Sequence, residues 1–251
     1  MPTIASPGGE VSWPTDEGTL GVVGVAPWST LDFLSRFYAL LEAEKDWHYP
    51  RVLIDINTKL PSRGRHFELG EADPSPAIAA TISELHLQGA TVVVVPCNTA
   101  HLVYDRWADN APVFVPNIVT ETISAARKAG ATRVCAFGSN ALAAHDLYGR
   151  TAEQSGLACR RLAPDEQAHV ADAIAETKRS GSIRPETREA IAALARKLKH
   201  EGVDAILLGC TELSGLAAPI SEAGSRAVDS NEVLARVAAR ALNLSPVTFS
   251  G

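Results

Sequence analysis

Short apolar runs alternate with amphipathic stretches along most of the chain. Val, Ile, Leu and small residues dominate the runs at residues 19–25, 51–56, 91–96, 133–138 and 205–209. Apolar runs of this length predict strands that are buried on both faces, as in a parallel sheet. A weaker run, ACRRL at 158–162, predicts one more strand.

The stretches between the runs have helical periodicity. A Ser75–Pro76 start predicts a helix that ends before Gly89, and Ser29 or Thr30 is expected to cap an earlier one. A third helix is predicted before Gly202. The positions predicted to share a helix face are Ile78, Ile82 and Leu85 in one helix, Leu34, Phe37, Tyr38 and Leu41 in another, and Ile191, Leu194 and Leu198 in the third.

The alternation of strand and helix predicts an α/β fold with parallel sheets and right-handed crossovers. TVVVVPCNTA at 91–100 and AILLGCTELS at 205–214 each run from a strand through Cys into a helix start. This repetition predicts two similar Rossmann-like, flavodoxin-like lobes with an active-site crevice between them. We expect a mobile N-terminal arm at 1–18, a first lobe from 19–116 plus 226–251, and a second lobe from 117–225.

Composition and charge narrow the class of protein. The chain has 251 residues with 23 basic and 29 acidic side chains, and its net charge of −6 argues against nucleic acid or an anionic membrane as partner. Neither a signal peptide nor a membrane-spanning run is apparent, which predicts a cytoplasmic protein. The four cysteines are widely spaced, so free thiols are expected rather than disulfides.

Cys97 and Cys210 stand where each of the two similar strands passes into a helix start. Backbone N–H groups and the helix dipole at such positions stabilise a thiolate, which makes both cysteines candidates for acid/base or nucleophilic chemistry. Either cysteine alone is more often a small buried side chain, but two at matching junctions favour chemistry.

VPCNTAH at 95–101 and LGCTE at 208–212 resemble the paired motifs of the aspartate/glutamate racemase superfamily, and the first is most similar to the aspartate racemase branch. The resemblance extends over about residues 19–240 and includes GVVGVAPWST at 21–30. It implies an amino-acid racemase that needs neither pyridoxal phosphate nor any other cofactor. In such an enzyme one cysteine removes the α-proton and the opposite cysteine returns one to the other face.

Other polar residues are expected to bind the substrate. Asn98, Thr99 and Thr211, at the two helix starts, are placed to stabilise the enediolate-like carbanion. The resemblance implies that Arg63 binds a substrate carboxylate, with Arg65 as its rival, and that Lys178 or Arg179 supplies a second cation. Ser139 and Asn57 complete the expected set.

Some positions depart from the family pattern or favour packing. Trp28 and Leu142 replace smaller or hydroxylated residues and predict a more apolar pocket. Cys135 and Cys159 are interpreted as packing residues, whereas His101 is expected either to orient Cys97 or polarise its thiol or to pack in its helix. No metal is expected, because no close Cys pair accompanies a site of Cys97, His101 and Cys210.

We therefore expect racemisation of aspartate by Cys97 and Cys210, in a homodimer by family analogy. Three alternatives remain open at this stage. In the first, the substrate is glutamate or a larger or neutral amino acid. In the second, one cysteine acts alone on a carboxylic acid, as in superfamily isomerases and decarboxylases. In the third, which is least favoured, the protein only binds amino acids.

Overall fold

Two parallel β-sheets form the framework of the protein in the computed structural model, which describes residues 3–6, 9–12 and 18–244. The strands are β1 (Thr3–Ser6), β2 (Gly9–Ser12), β3 (Leu20–Gly24), β4 (Val52–Ile56), β5 (Val92–Val94), β6 (Arg133–Gly138), β7 (Ala158–Cys159), β8 (Ala205–Gly209) and β9 (Arg226–Asp229). The first sheet has the order β4-β3-β5, and the second has the order β7-β6-β8-β9. The predicted two-lobed α/β fold is therefore confirmed.

Helices connect and cover the strands. The α-helices are α1 (Pro27–Ala39), α2 (Arg63–Leu69), α3 (Ser75–Leu87), α4 (Tyr104–Ala108), α5 (Ile118–Lys128), α6 (Asn140–Ala144), α7 (Leu147–Gln154), α8 (Pro164–Ser180), α9 (Pro185–His200), α10 (Ala217–Glu222) and α11 (Ser230–Ala241). Short 3-10 helices span Asp46–His48, Asn98–Val103 and Thr211–Leu216. The last two directly follow the cysteine junctions.

The two sheets repeat one arrangement. In each, the first strand pairs in parallel with the second on one side and with the third on the other. β5 and β8 hold the same place in their sheets, so Cys97 and Cys210 leave equivalent strands at the carboxyl edge. Open α/β sheets bind ligands at that edge, where the strand order reverses.

The strand β4 departs from the prediction of strands buried on both faces. Ile54 is 42% exposed and Ile56 is 41% exposed. Ile54 and Ile56 are two residues apart and so point to the same face of β4, which the described residues leave partly open to solvent. β3, β5 and β8 are buried along their whole length, as predicted.

The predicted boundary at residue 226 is wrong for the second sheet. Arg226–Asp229 pairs in parallel with β8 and therefore belongs to the second sheet, although 226–251 was assigned to the first lobe. The following helix α11 packs against α1 of the first lobe and also against α5. Its buried positions contact core residues of both sheets, so α11 joins the lobes.

Two further predictions need correction or remain open. The sequence predicted no element before residue 18, whereas β1 and β2 pair with each other in antiparallel orientation. The mobility of this arm stays a prediction.

The cap of α1 is Ala26 rather than Ser29 or Thr30, because Pro27 occupies the first turn. Thr30 instead donates its hydroxyl hydrogen to the Ala26 carbonyl at 2.6 Å.

The predicted helix faces are largely confirmed. Ile78, Ile82 and Leu85 are buried in α3, and the helix is closed by Gly89, whose φ is +105°. Ile191, Leu194 and Leu198 are buried in α9. On α1 the buried aromatic residues are Phe33 and Phe37, while Tyr38 is 36% exposed.

Candidate active site

The two cysteine junctions face one cavity of about 220 Å³ at the carboxyl edges of the two sheets. Cys97 and Cys210 both line it, and each is the N-cap residue of a 3-10 helix. A cavity of this size suits a small amino acid better than a drug-sized ligand. The structure therefore brings the two predicted cysteines to a common site.

Six parts of the chain close the remaining walls. They come from the end of β3 and the start of α1, from α2, from the turn after β6, from α8, and from the residues that follow each cysteine. The lining residues besides the cysteines are Val25, Ala26, Ser29, Ser62, Arg63, Gly64, Arg65, Glu68, Asn98, Thr99, Ser139, Lys178, Thr211 and Glu212. Both lobes thus contribute to one polar cavity.

Cys210 is buried and donates a hydrogen bond from Sγ to Glu212 Oε2 at 3.0 Å. Burial, together with the negative charge of Glu212, raises the pKa of the Cys210 thiol well above its ordinary value, and the charge of Lys178 opposes the rise. The expectation that this junction favours a thiolate is therefore wrong for Cys210. The surroundings of Cys210 therefore favour the thiol over the thiolate.

Cys97 is only half-buried, and His101, four residues further on, contacts its backbone carbonyl oxygen. His101 Nδ1 lies 2.9 Å from the Cys97 carbonyl oxygen, and its ring packs against Tyr104 and Trp107. Complete burial lowers the pKa of His101 to about 4, so the imidazole is neutral at pH 7. These contacts agree with a packing role for His101.

Hydroxyl and amide groups surround the cysteines. Thr99 Oγ1 and Ser139 Oγ lie 2.9 Å apart, across the boundary between the lobes. Ser139 also caps α6 by accepting the Leu142 N–H, so its capping and cavity positions coexist. Thr211 donates its hydroxyl to the Pro96 carbonyl oxygen at 3.2 Å, which ties the second junction to the first.

Two of the rival cations differ in their contacts. Arg63 donates from Nη2 to the Val25 carbonyl at 3.0 Å and from Nη1 to the Pro61 carbonyl at 3.2 Å, and its buried Nε has no hydrogen-bond partner among the described residues. Arg65, by contrast, is paired with the Glu71 carboxylate through Nε at 2.8 Å. Arg63 thus lines the cavity with no carboxylate partner among the described residues, whereas Arg65 already has one.

The family of the chain follows from a comparison with known protein families. Residues 21–238 match the model of the Asp/Glu/Hydantoin racemase family, which covers most of the chain. The chain belongs to this family. Membership supports its assignment as an amino-acid racemase, an isomerase.

Solved structures show the same fold. The chain is 23% identical to an aspartate racemase from Picrophilus torridus, with a TM-score of 0.81 over 92% of this chain and 96% of that one. An aspartate racemase homologue from Pyrococcus horikoshii has a TM-score of 0.75 and 23% identity over 90% and 99%. A glutamate racemase from Thermus thermophilus, solved with β-chloro-D-alanine, has a TM-score of 0.60 and 23% identity over 91% and 81%.

Several expected residues do not reach the racemase cavity. The Asn57 side chain turns back to accept the Lys59 N–H at 3.0 Å, as in an ordinary turn. Trp28 instead contacts Gly181, and Leu142 lies in another cavity of the second lobe. The prediction of a more apolar pocket from Trp28 and Leu142 is therefore wrong.

Some residues at the racemase site escaped the sequence analysis. Ser29, Ser62 and Glu68 line the cavity, and Tyr148 and Ser230 bind the Asn98 side chain behind it. Ser230 opens α11, more than a hundred residues from Asn98, and no local pattern signals such a contact.

The described residues contain no cluster that could bind a metal and no helix that could span a membrane. Within residues 18–244, His, Cys, Asp and Glu side chains form no group of three that could hold a metal ion. Helices in the described part of the racemase are too short or too polar to cross a membrane.

Burial raises the pKa of both Cys135 and Cys159, in keeping with their expected packing roles.

Proposed function

We propose that this protein racemises an acidic amino acid, with aspartate as the leading substrate, by proton transfer between Cys97 and Cys210 without pyridoxal phosphate. The observation that carries the proposal is that both cysteine side chains line one small polar cavity between the two lobes. A substrate held there has a cysteine of each lobe available to its α-carbon.

The reaction needs one thiolate and one thiol. Because burial and Glu212 raise the pKa of Cys210, we assign Cys210 as the proton donor and Cys97 as the base in the free enzyme. Cys97 takes the α-proton, the α-carbon becomes planar as charge moves onto the α-carboxylate, and Cys210 delivers its proton to the opposite face. Turnover in the reverse direction starts from the opposite protonation state.

The carbanion is the high-energy species, and the cavity offers several donors to the carboxylate that stabilises it. Thr99 and Ser139 present hydroxyl groups, and a 3-10 helix starts directly after each cysteine, where the first backbone N–H groups have no partner within the helix. The Asn98 side chain already bonds Tyr148 and Ser230, so we assign its contribution chiefly to positioning.

Arg63 and Lys178 are proposed to hold the two carboxylates of an acidic substrate. Both line the cavity, and the buried Nε of Arg63 has no partner within the described chain. A planar guanidinium binds a carboxylate through two parallel hydrogen bonds, whereas the Lys178 ammonium acts as a point charge. Arg63 and Lys178 together favour a dicarboxylic amino acid over a neutral one.

Proton exchange in deuterium oxide tests the proposal. Each enantiomer of aspartate is incubated with the wild type, Cys97→Ser and Cys210→Ser, and both inversion and deuterium incorporation at Cα are followed. We expect each substitution to slow inversion by at least about 100-fold, because general acid/base groups contribute 10²–10⁴. Unchanged inversion in both variants would exclude the two-cysteine mechanism.

The unequal settings of the cysteines favour one second candidate. Cys210 is buried and hydrogen-bonded to a carboxylate, whereas Cys97 is half-buried, so a reaction of a carboxylic acid at Cys97 alone also fits. In that case Cys97→Ser abolishes turnover of the acid, Cys210→Ser retains it, and neither enantiomer of aspartate is inverted by the wild type.

A further inference from the structure

The side chain of Tyr148 lies between the two cysteine junctions, behind the cavity. It is 4% exposed, and its hydroxyl donates to Asn98 Oδ1 at 2.6 Å. Its ring lies against Gly209, where a Cβ atom would approach Tyr148 Cε2 to 2.5 Å. One ring thus contacts the residue before Cys210, and its hydroxyl holds the residue after Cys97.

A buried hydrogen-bond chain continues from Asn98 to the second strand. Asn98 Nδ2 donates to Ser230 Oγ at 2.9 Å, and Ser230 Oγ donates to the Leu208 carbonyl at 2.7 Å. Leu208 lies in β8, two residues before Cys210. The chain from Tyr148 through Asn98 and Ser230 therefore returns to the strand that carries the second cysteine.

We infer that Tyr148 is a positioning residue that fixes the spacing of Cys97 and Cys210. This inference rests on the proposed function, because only transfer between two cysteines requires that spacing. Both sulfurs must reach the same α-carbon, and a misplacement of about 1 Å costs an enzyme roughly 100-fold in rate. The Tyr148 ring packs against Gly209, next to Cys210, and the Tyr148 hydroxyl fixes Asn98, next to Cys97.

The hydroxyl is suited to a fixed contact. Burial raises the pKa of Tyr148, so the phenol remains a neutral donor over the pH range in which enzymes work. A Phe ring fills the same space but leaves the buried Asn98 Oδ1 without this donor. Asn98 then loses one of the two side-chain contacts that fix it, while Ser230 remains.

Tyr148→Phe separates positioning from support of the fold, with Tyr104→Phe as the matched control. Tyr104 also donates its hydroxyl to a carbonyl, that of Val115 at 2.5 Å, but Val115 belongs to neither cysteine junction. Single-turnover inversion of L- and D-aspartate is followed with enzyme in excess. The rate constant at saturating enzyme measures the chemistry of folded enzyme, whereas circular dichroism of the same sample measures how much of the variant is folded.

We expect Tyr148→Phe to lower the single-turnover rate constant about 10- to 100-fold in both directions, with KM changed less than about threefold. Tyr104→Phe keeps the wild-type rate constant. A Tyr148→Phe variant that loses only folded fraction and keeps the rate constant, or that behaves like Tyr104→Phe, would overturn the inference and leave the racemase intact. A wild type that inverts neither enantiomer would remove the proposed function and this inference together.

Discussion

The two cysteines show how far the surroundings of a side chain control its chemistry. Both leave equivalent strands and cap similar 3-10 helices, yet Cys210 is buried against a carboxylate and Cys97 is half-buried. The local motif correctly brought both to one cavity. It did not predict the raised pKa of Cys210, because burial depends on residues far away in the chain.

Glu212→Gln tests the electrostatic setting of Cys210. The glutamine retains an oxygen that accepts the Sγ hydrogen but removes the negative charge, so the pKa of Cys210 should fall. In a Cys97→Ser background, alkylation of Cys210 by iodoacetamide, located by peptide mass spectrometry, should then reach half its maximal rate at a lower pH.

Glu68→Gln is the matched control for this titration. Glu68 lines the same cavity, but its exposed carboxylate is not among the groups that shift the pKa of Cys210. We expect its alkylation profile to follow that of the parent. An equal shift in both variants would mean that the general charge of the cavity, rather than the Glu212 contact, controls the thiol.

Arg63→Lys tests which arginine binds the substrate. Lysine cannot reproduce a bidentate contact, and hydrogen bonds to charged groups contribute about 1.5–3 kcal/mol. We expect KM for aspartate to rise about 10-fold or more, whereas Arg65→Lys, at a residue already paired with Glu71, should stay within about twofold. Steady-state kinetics on both enantiomers decides between them, and the reverse order of effects would assign the role to Arg65.

At the level of elements, patterns that depend only on neighbours in sequence were reliable. β6 and β8 begin and end where the apolar runs do, and α3 and α9 bury the predicted faces. The failures all depend on the position of an element in the fold. Ile54 is exposed because the described residues leave one face of β4 partly uncovered, which no single run of residues reveals.

The short strand β9 illustrates the same limit. Arg226–Asp229 has only two fully buried residues, so its sequence gives a weak strand signal. It becomes a strand because β8 offers it a free edge, and this pairing moves the end of the second sheet past residue 225. The same lack of local signal hid Ser230, which reaches Asn98 only because α11 begins directly after β9.

Across the whole molecule, the two lobes share one hydrophobic core. The cluster that contains Leu20 and Val92 of the first sheet also contains Val134 and Leu207 of the second. Leu234 and other residues of α11 belong to it as well. A core that crosses the boundary makes the lobes dependent on each other, and the racemase cavity between them then keeps a fixed geometry.

This shared core predicts a single cooperative unfolding transition. All four tryptophans precede residue 117, so tryptophan fluorescence reports the first lobe, whereas far-ultraviolet circular dichroism reports helices of both. In urea the two signals should give the same midpoint, because loss of either lobe exposes the common core of the other. Displaced midpoints would show that the lobes unfold separately and that α11 does not couple them.

If unfolding is cooperative, added aspartate, which contacts both lobes in the proposed complex, should raise both urea midpoints by the same amount. Ligand binding stabilises the folded state as a whole.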